Sequence, residues 1–201
     1  MNPTGKGSLS RNTVDKKKRK NAGFGDEDAD LMVRAAQGSE AAFGDLIRRH
    51  QRGLMNFFRR LGATVHEAED AAQETFLRIF NYRKRYVPQA PFRVFLYTLA
   101  RHAWVDLTRK RQRWHRGQVP GIDMDGQPVL TRVFDWERLD LQDALNDLPT
   151  GHRMVLVLSL YNGMRYGEIS SVMEIPVGTV KSRVFHALRK LREAMATDAP
   201  S

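Results

Sequence analysis

Apolar residues recur along most of this chain at the three- and four-residue spacing of amphipathic helices, not at the alternating spacing of strands. Phe43, Leu46, Ile47, Leu54, Phe57, Phe58 and Leu61 make one such stripe, opened by Ser39 as an N-cap and closed by Gly62. Ahead of it, Asp28 is placed to cap a helix that stops at Gly38. Behind it, Thr64 and Glu67 have capping-box spacing and open a third helix, whose Ala68, Ala72, Phe76, Ile79 and Phe80 share a core-directed face. A fourth helix begins near Pro91, a residue tolerated in a first turn, and runs to about Arg113. Its buried side is Phe92, Phe95, Leu96, Leu99, Ala103 and Leu107. Periodicity then fails, because Gly117, Pro120, Gly121, Gly126 and Pro128 interrupt any helix. It resumes in about four helices separated at Pro149-Thr150, Asn162-Gly163 and Glu174-Ile175-Pro176. No strand pattern or internal repeat emerges. The expected architecture is all-α: a helical bundle over 27–113 and a C-terminal helix-turn-helix domain over 139–196, joined by a flexible linker over 114–138.

Charge narrows the partners. Lys and Arg number 33 against 23 Asp and Glu, a net charge of +10, which favours a polyanion: nucleic acid or an anionic membrane surface. Part of the excess lies in residues 1–26, where Lys16-Lys17-Lys18-Arg19-Lys20 sits among Gly and Ser; this segment is expected to be disordered, as a DNA-hugging arm or a solvated tail. The linker is acidic instead, with Asp123, Asp125, Asp135 and Glu137. Cysteine is absent, no apolar run approaches a membrane span, and the first residues do not read as a signal peptide; a reduced, cytoplasmic setting is expected, without membrane insertion.

Catalytic chemistry finds no foothold. The six histidines are scattered, and His66-Glu67-Ala68-Glu69-Asp70 places Asp where a zinc-protease helix needs its second His. There is no Gly-rich phosphate loop. We therefore expect no enzyme, no metal, no cofactor and no small-molecule substrate.

Binding chemistry is plainer. A short helix from Tyr166 to Met173 meets a tight turn, Glu174 to Gly178, and a long basic helix follows from Thr179. On that helix Val180, Val184, Ala187, Leu188 and Leu191 form a narrow apolar stripe, while Ser182, Phe185, His186 and Arg189 lie opposite, flanked by Lys181, Arg183 and Lys190. Hydroxyl, imidazole and guanidinium groups read base edges, the flanking bases hold phosphates, and the helix start at Thr179 favours another. On the third helix, Glu67, Asp70 and Glu74 make an acidic stripe that would repel DNA and so points to a basic protein partner. On the fourth, Tyr97, Arg101, Trp104 and Thr108 face away from the apolar side, and aromatics interleaved with guanidinium groups suit unstacked bases.

The run Ile175-Pro176-Val177-Gly178-Thr179-Val180-Lys181-Ser182-Arg183, with Ala144 to Pro149 and Tyr166-Gly167-Glu168-Ile169, resembles the promoter-reading domain of extracytoplasmic-function (group IV) sigma factors. Over residues 30–196 the chain is similar to that family. The resemblance implies a transcription initiation factor that binds core RNA polymerase and promoter DNA and is held inactive by an anti-sigma factor. It implies minus-35 contacts for Thr179, Lys181, Ser182, Arg183, Phe185, His186 and Arg189. Asp70, Gln73 and Glu74 match the motif that grips the polymerase. The loop Arg85 to Pro91 and the fourth helix resemble the region that melts and captures the minus-10 element, which implicates Tyr86, Arg93, Tyr97, Arg101, His102, Trp104, Thr108 and Arg109. By the same resemblance, the linker threads toward the polymerase active site.

Two positions depart from the family pattern. Arg165 stands where Ser or Thr would complete a capping box with Glu168, and Glu174 stands where Gly is common, so it must take a positive φ or shift the turn. The rival reading, a stand-alone helix-turn-helix regulator, accounts for residues 165–195 but not for the acidic stripe or the Tyr97/Trp104 face; a basic membrane-surface or scaffold protein accounts for the charge alone.

Overall fold

The structure is a computed structural model that describes residues 26–117 and 136–197. The basic segment and most of the acidic linker, including Asp123 to Val129, lie outside the described residues. Regular structure among the described residues is helical: α1 (Asp26–Ala36), α2 (Glu40–Arg60), α3 (Val65–Tyr82), α4 (Phe92–Gly117), α5 (Trp136–Asn146), α6 (Thr150–Leu160), α7 (Tyr166–Met173) and α8 (Val177–Thr197), with a 3-10 turn Arg83–Arg85 after α3. α4 therefore continues past Arg113, and α5 begins before residue 139, so helix enters both ends of the segment expected as linker.

Local chemistry sets the helix ends. Ser39 accepts the Ala42 N–H at 3.3 Å. Thr64 and Glu67 form a reciprocal capping box. Gly38 and Gly62 take positive φ, 102° and 96°, where a Cβ would be strained. Asp28 does not cap: α1 starts two residues earlier, and the Asp28 carboxylate instead accepts Arg49 Nη1 at 3.0 Å and lies 2.9 Å from His50 Nε2 of α2.

Helices α1–α4 pack around Met32, Leu46, Leu54, Phe57, Phe58, Leu61, Ala68, Ile79, Phe92 and Leu96. Helices α5–α8 pack around Leu145, Val155 to Leu158, Ile169, Val172, Val180, Val184 and Ala187. Phe80 leaves the core face expected for it: it is 37 % exposed, resting on Phe43 with Arg83 over its ring.

The two bundles meet along a seam. At one end Arg153 of α6 donates to the Leu61 carbonyl at 2.7 Å and to the Asn146 and Leu148 carbonyls, so one guanidinium gathers the ends of α2 and α5. Arg60 lies 3.9 Å from the Tyr161 ring centroid beside it. Along the rest of the seam α4 packs against α7. Helix α4 is thus buried on two sides: Phe92, Leu96 and Ala103 toward its own bundle, and Val94, Tyr97, Ala100 and Trp104 on the other faces.

Candidate nucleic-acid and protein interfaces

Helix α8 presents the predicted polar face to solvent. Val180, Val184, Ala187 and Leu191 are buried, whereas Lys181, Ser182, Phe185, His186 and Arg189 are exposed, Phe185 at 63 %. Leu188 lies at the edge of the stripe and is exposed. Ser182 Oγ donates to the Thr179 carbonyl at 3.0 Å, which leaves its lone pairs outward as acceptors. Thr179 is half-buried at the helix start. Arg183 leans onto the first turn of α6, where a Cβ on Gly151 would stand 3.1 Å from its guanidinium. His152 lies in the same cluster, its ring 6.5 Å from that of His186. Burial, with Arg183, His186 and Lys190 nearby, holds the His152 pKa below its ordinary value. Cations gathered at the α6 N-terminus repel one another until an anion arrives, which suits a phosphate.

The turn between α7 and α8 keeps its register at a conformational cost. Glu174 adopts φ 56° and ψ 42°, the first of the two outcomes its side chain allowed. The conformation is held by the Glu174 N–H donating to the Ser170 carbonyl and by Ser170 Oγ donating to the Ile175 carbonyl at 2.6 Å. At the other end of α7, Glu168 accepts the Arg165 N–H at 2.7 Å, while the Arg165 guanidinium has no acceptor with which to complete the box.

On α3, Asp70, Gln73 and Glu74 are all exposed on one face. Glu74 accepts Arg78 Nε at 2.7 Å, and Arg78 reaches on to Asp106 of α4 at 2.9 Å. Glu67 does not belong to a free stripe. Its carboxylate caps α3 and takes the Arg111 guanidinium of α4. Burial pushes its pKa up, but the hydrogen bonds from Arg111 and Thr64 prevail and hold it at about 2. Leu77, which polarity-based selection passed over, stands 56 % exposed one turn beyond Gln73 and Glu74. Its spacing of seven from Asp70 is the signal that places it on the same face.

The minus-10 candidates divide. His102 and Arg109 are exposed, and Thr108 is half-buried with its hydroxyl on the Val105 carbonyl. Tyr86 is half-buried in an aromatic cluster with Phe92 and Phe95, 5.1 Å from the latter, so it is not a freely presented ring. Arg93, Tyr97, Arg101 and Trp104 do not face solvent as expected. Tyr97 and Trp104 are only 7 % and 3 % exposed. Arg93 donates to both oxygens of Glu168 at 2.5–2.9 Å, Arg101 donates to Glu174 at 2.6 Å, and the Asn162 amide donates to Tyr97 Oη at 2.6 Å. Burial raises the Tyr97 pKa to about 12 against the opposing effects of Asn162 and Arg93. The partners come from 65 to 75 residues further along the chain, so no local pattern announced them.

Two family models match these two bundles: Sigma-70 region 2 over residues 46–114 and Sigma-70 region 4 over residues 138–191. The chain is 32 % identical over 180 residues to the ECF RNA polymerase sigma factor SigE of Mycolicibacterium smegmatis, covering 85 % of this chain and 69 % of that one. It is 33 % identical over 172 residues to the ECF RNA polymerase sigma factor SigC of Mycobacterium tuberculosis, covering 84 % and 89 %.

The chain belongs to the ECF sigma factors.

It is accordingly a transcription initiation factor that directs RNA polymerase to promoters. Its fold also overlays CnrH, solved in complex with the cytosolic domain of CnrY, with a TM-score of 0.70 and 27 % identity over 86 % of this chain and 99 % of that one. Among the described residues of this sigma factor, no helix is long and apolar enough to cross a membrane, and no cluster of metal-ligating side chains forms.

Proposed function

We propose that this sigma factor divides its work among three helices. The outward face of α3, with Asp70, Gln73, Glu74 and the apolar Leu77, docks on a basic surface of core RNA polymerase. The polar face of α8 reads the minus-35 element in the major groove through Ser182, Phe185, His186 and Arg189, with Thr179, Lys181 and Arg183 on phosphates. Residues of α4 and its preceding loop hold melted minus-10 bases: Tyr86, Arg93, Tyr97, Arg101, His102, Trp104, Thr108 and Arg109. RNA synthesis stays with the polymerase; the chain contributes no catalysis, works in the cytoplasm and takes no small-molecule substrate. CnrH was solved with CnrY's cytosolic domain bound, and a comparable anti-sigma segment is the regulator proposed for this chain.

The observation that carries this reading is α8 itself, whose polar face stands wholly in solvent above a buried apolar stripe. The test is co-elution of the full chain with core polymerase in the absence of DNA, followed by footprinting of the complex on promoter DNA. Stoichiometric co-elution and an upstream footprint that Arg189→Ala weakens are expected. A chain that protects DNA without ever binding polymerase would return the molecule to the stand-alone regulators.

A further inference from the structure

The reading face of α8 does not end at its own helix. His186, exposed on that face, sets its ring 5.6 Å from Phe185 on one side and 6.5 Å from His152 of α6 on the other. The Arg183 guanidinium lies over Gly151, the residue just before His152, where the missing Cβ gives it room. Helix α6 thus adds an imidazole to a basic face whose other members all come from α8.

The surroundings of His152 are cationic from every side that α8 presents. Arg183, His186 and Lys190 all act on it. The acids of the neighbouring elements are directed elsewhere. Asp147 at the end of α5 acts on Arg153, whose guanidinium turns to the α2 and α5 carbonyls. Glu168 of α7 is taken by Arg93, and Glu193 of α8 lies beside Arg189. From α2 comes Arg60, stacked on Tyr161. Burial first, and then the three α8 cations, lower the His152 pKa, so its ring is mostly neutral at neutral pH. A phosphate brought against the cluster reverses that balance. It cancels the repulsion among the cations and gives a protonated ring a charged acceptor.

We infer that His152 is a DNA-contacting residue: with Arg183, His186 and Lys190 it forms a site for one duplex phosphate at the α6–α8 junction, and it takes up a proton from solvent as that phosphate docks. The inference rests on the reading of α8 as the duplex-binding helix, and adds to it a contact from α6 and a dependence on pH. Binding that consumes a proton tightens as pH falls, by at most about tenfold per pH unit for one proton. The phosphate contact itself carries no base information, so the pH dependence extends to duplex DNA of any sequence.

The test measures binding of a labelled duplex of mixed sequence to the full chain by fluorescence anisotropy, at constant low salt. From about pH 8 to about pH 6, the parent should gain about tenfold more affinity than His152→Gln gains. His152→Lys, which carries a fixed charge, should bind at the upper pH nearly as tightly as the parent does at the lower, with the flatter profile of the glutamine variant. Calorimetry in buffers of different ionisation enthalpy counts the protons taken up, and His152→Gln should lower that count. Circular dichroism checks that both variants fold. Lys181→Ala, on α8 itself, should weaken the duplex at every pH. If it does, and His152→Gln keeps the parent's pH profile and proton count, the inference is overturned and the α8 reading stands. A glutamine variant weakened by the same factor at every pH shows a structural role and also overturns it. Duplex binding that Lys181→Ala leaves unchanged removes the α8 reading, and the inference with it.

Discussion

Helices α3 and α4 lie side by side in one bundle, and each carries a polar or aromatic face away from its core stripe. On α3 that face meets solvent, with Asp70, Gln73, Glu74 and Leu77 all exposed. On α4 the corresponding face is closed by the other bundle, with Tyr97 and Trp104 buried and both guanidinium groups occupied. Charge accounts for the choice. The anchors of α7 are carboxylates, which the acidic α3 would repel and the cationic α4 draws in. The aromatic rings that suit α4 to unstacked bases suit it equally to burial against protein. A cationic face that would suit a polyanion is equally open to occupation by the chain's own acids.

The largest effect expected is at Trp104. As a buried side chain it should cost about 3–5 kcal/mol of stability on truncation to Ala, read by thermal or urea unfolding. A loss under about 1 kcal/mol would mean that the face is not closed in solution. Open-complex formation by the same variant should fall more than closed-complex binding. On the other side of the comparison, Asp70→Ala/Glu74→Ala should weaken polymerase binding by about 2–4 kcal/mol while leaving the radius of gyration unchanged. Expansion of that variant would show that the two faces are coupled.

If the exposed face of α8 reads DNA as proposed, Arg189→Ala should remove about 1–3 kcal/mol of sequence-specific binding. A promoter footprint indistinguishable from the parent's would leave Arg189 to its neighbour Glu193 and to solvent.

The remaining predictions concern ionisation and strain. The Glu67 pKa is lowered from 4.5 to about 2, so the tie to Arg111 contributes fully above pH 4.5 and is lost as pH falls toward 2. With allowance for solvent screening at a partly exposed pair, the contribution is about 1–2 kcal/mol, and Glu67→Gln should flatten that limb of the stability–pH curve. Tyr97 behaves in the opposite sense: with its pKa raised to about 12, the seam keeps its full contribution below pH 10 and loses it between 10 and 12. Absorbance titration should find Tyr97 ionising late in the parent and losing that delay in a chain whose seam has opened. The smallest effect is at Glu174→Gly, which relieves the left-handed backbone by about 1 kcal/mol but removes the partner of Arg101. The turn should gain local protection from hydrogen exchange while the seam loosens.

Much of the molecule was legible in the sequence because its signals are local. Ser39, the Thr64/Glu67 box and the Gly38 and Gly62 stops mark helix ends by groups three or four residues apart. The α8 stripe and its opposite polar face follow from 100° per residue, and the left-handed Glu174 was one of two outcomes its side chain permitted. Leu77 was legible too, but only to a reading that asked which apolar residue shares a face with the acids.

What the sequence could not settle was occupancy. Periodicity says which side chains point the same way, and composition says what that face would attract, but neither names what covers it. Glu67 was read as the Thr64 capping partner and as part of an acidic stripe, and it is tied as well to Arg111, 44 residues away. Arg93, Tyr97 and Arg101 looked open, and their partners arrive from 65 to 75 residues along the chain. Such pairings depend on how the two helical units meet, and a contact between units leaves no period in the sequence of either. The helices, their ends and the chemistry of each face are therefore written locally, whereas which face is presented and which is closed was decided by the tertiary structure alone.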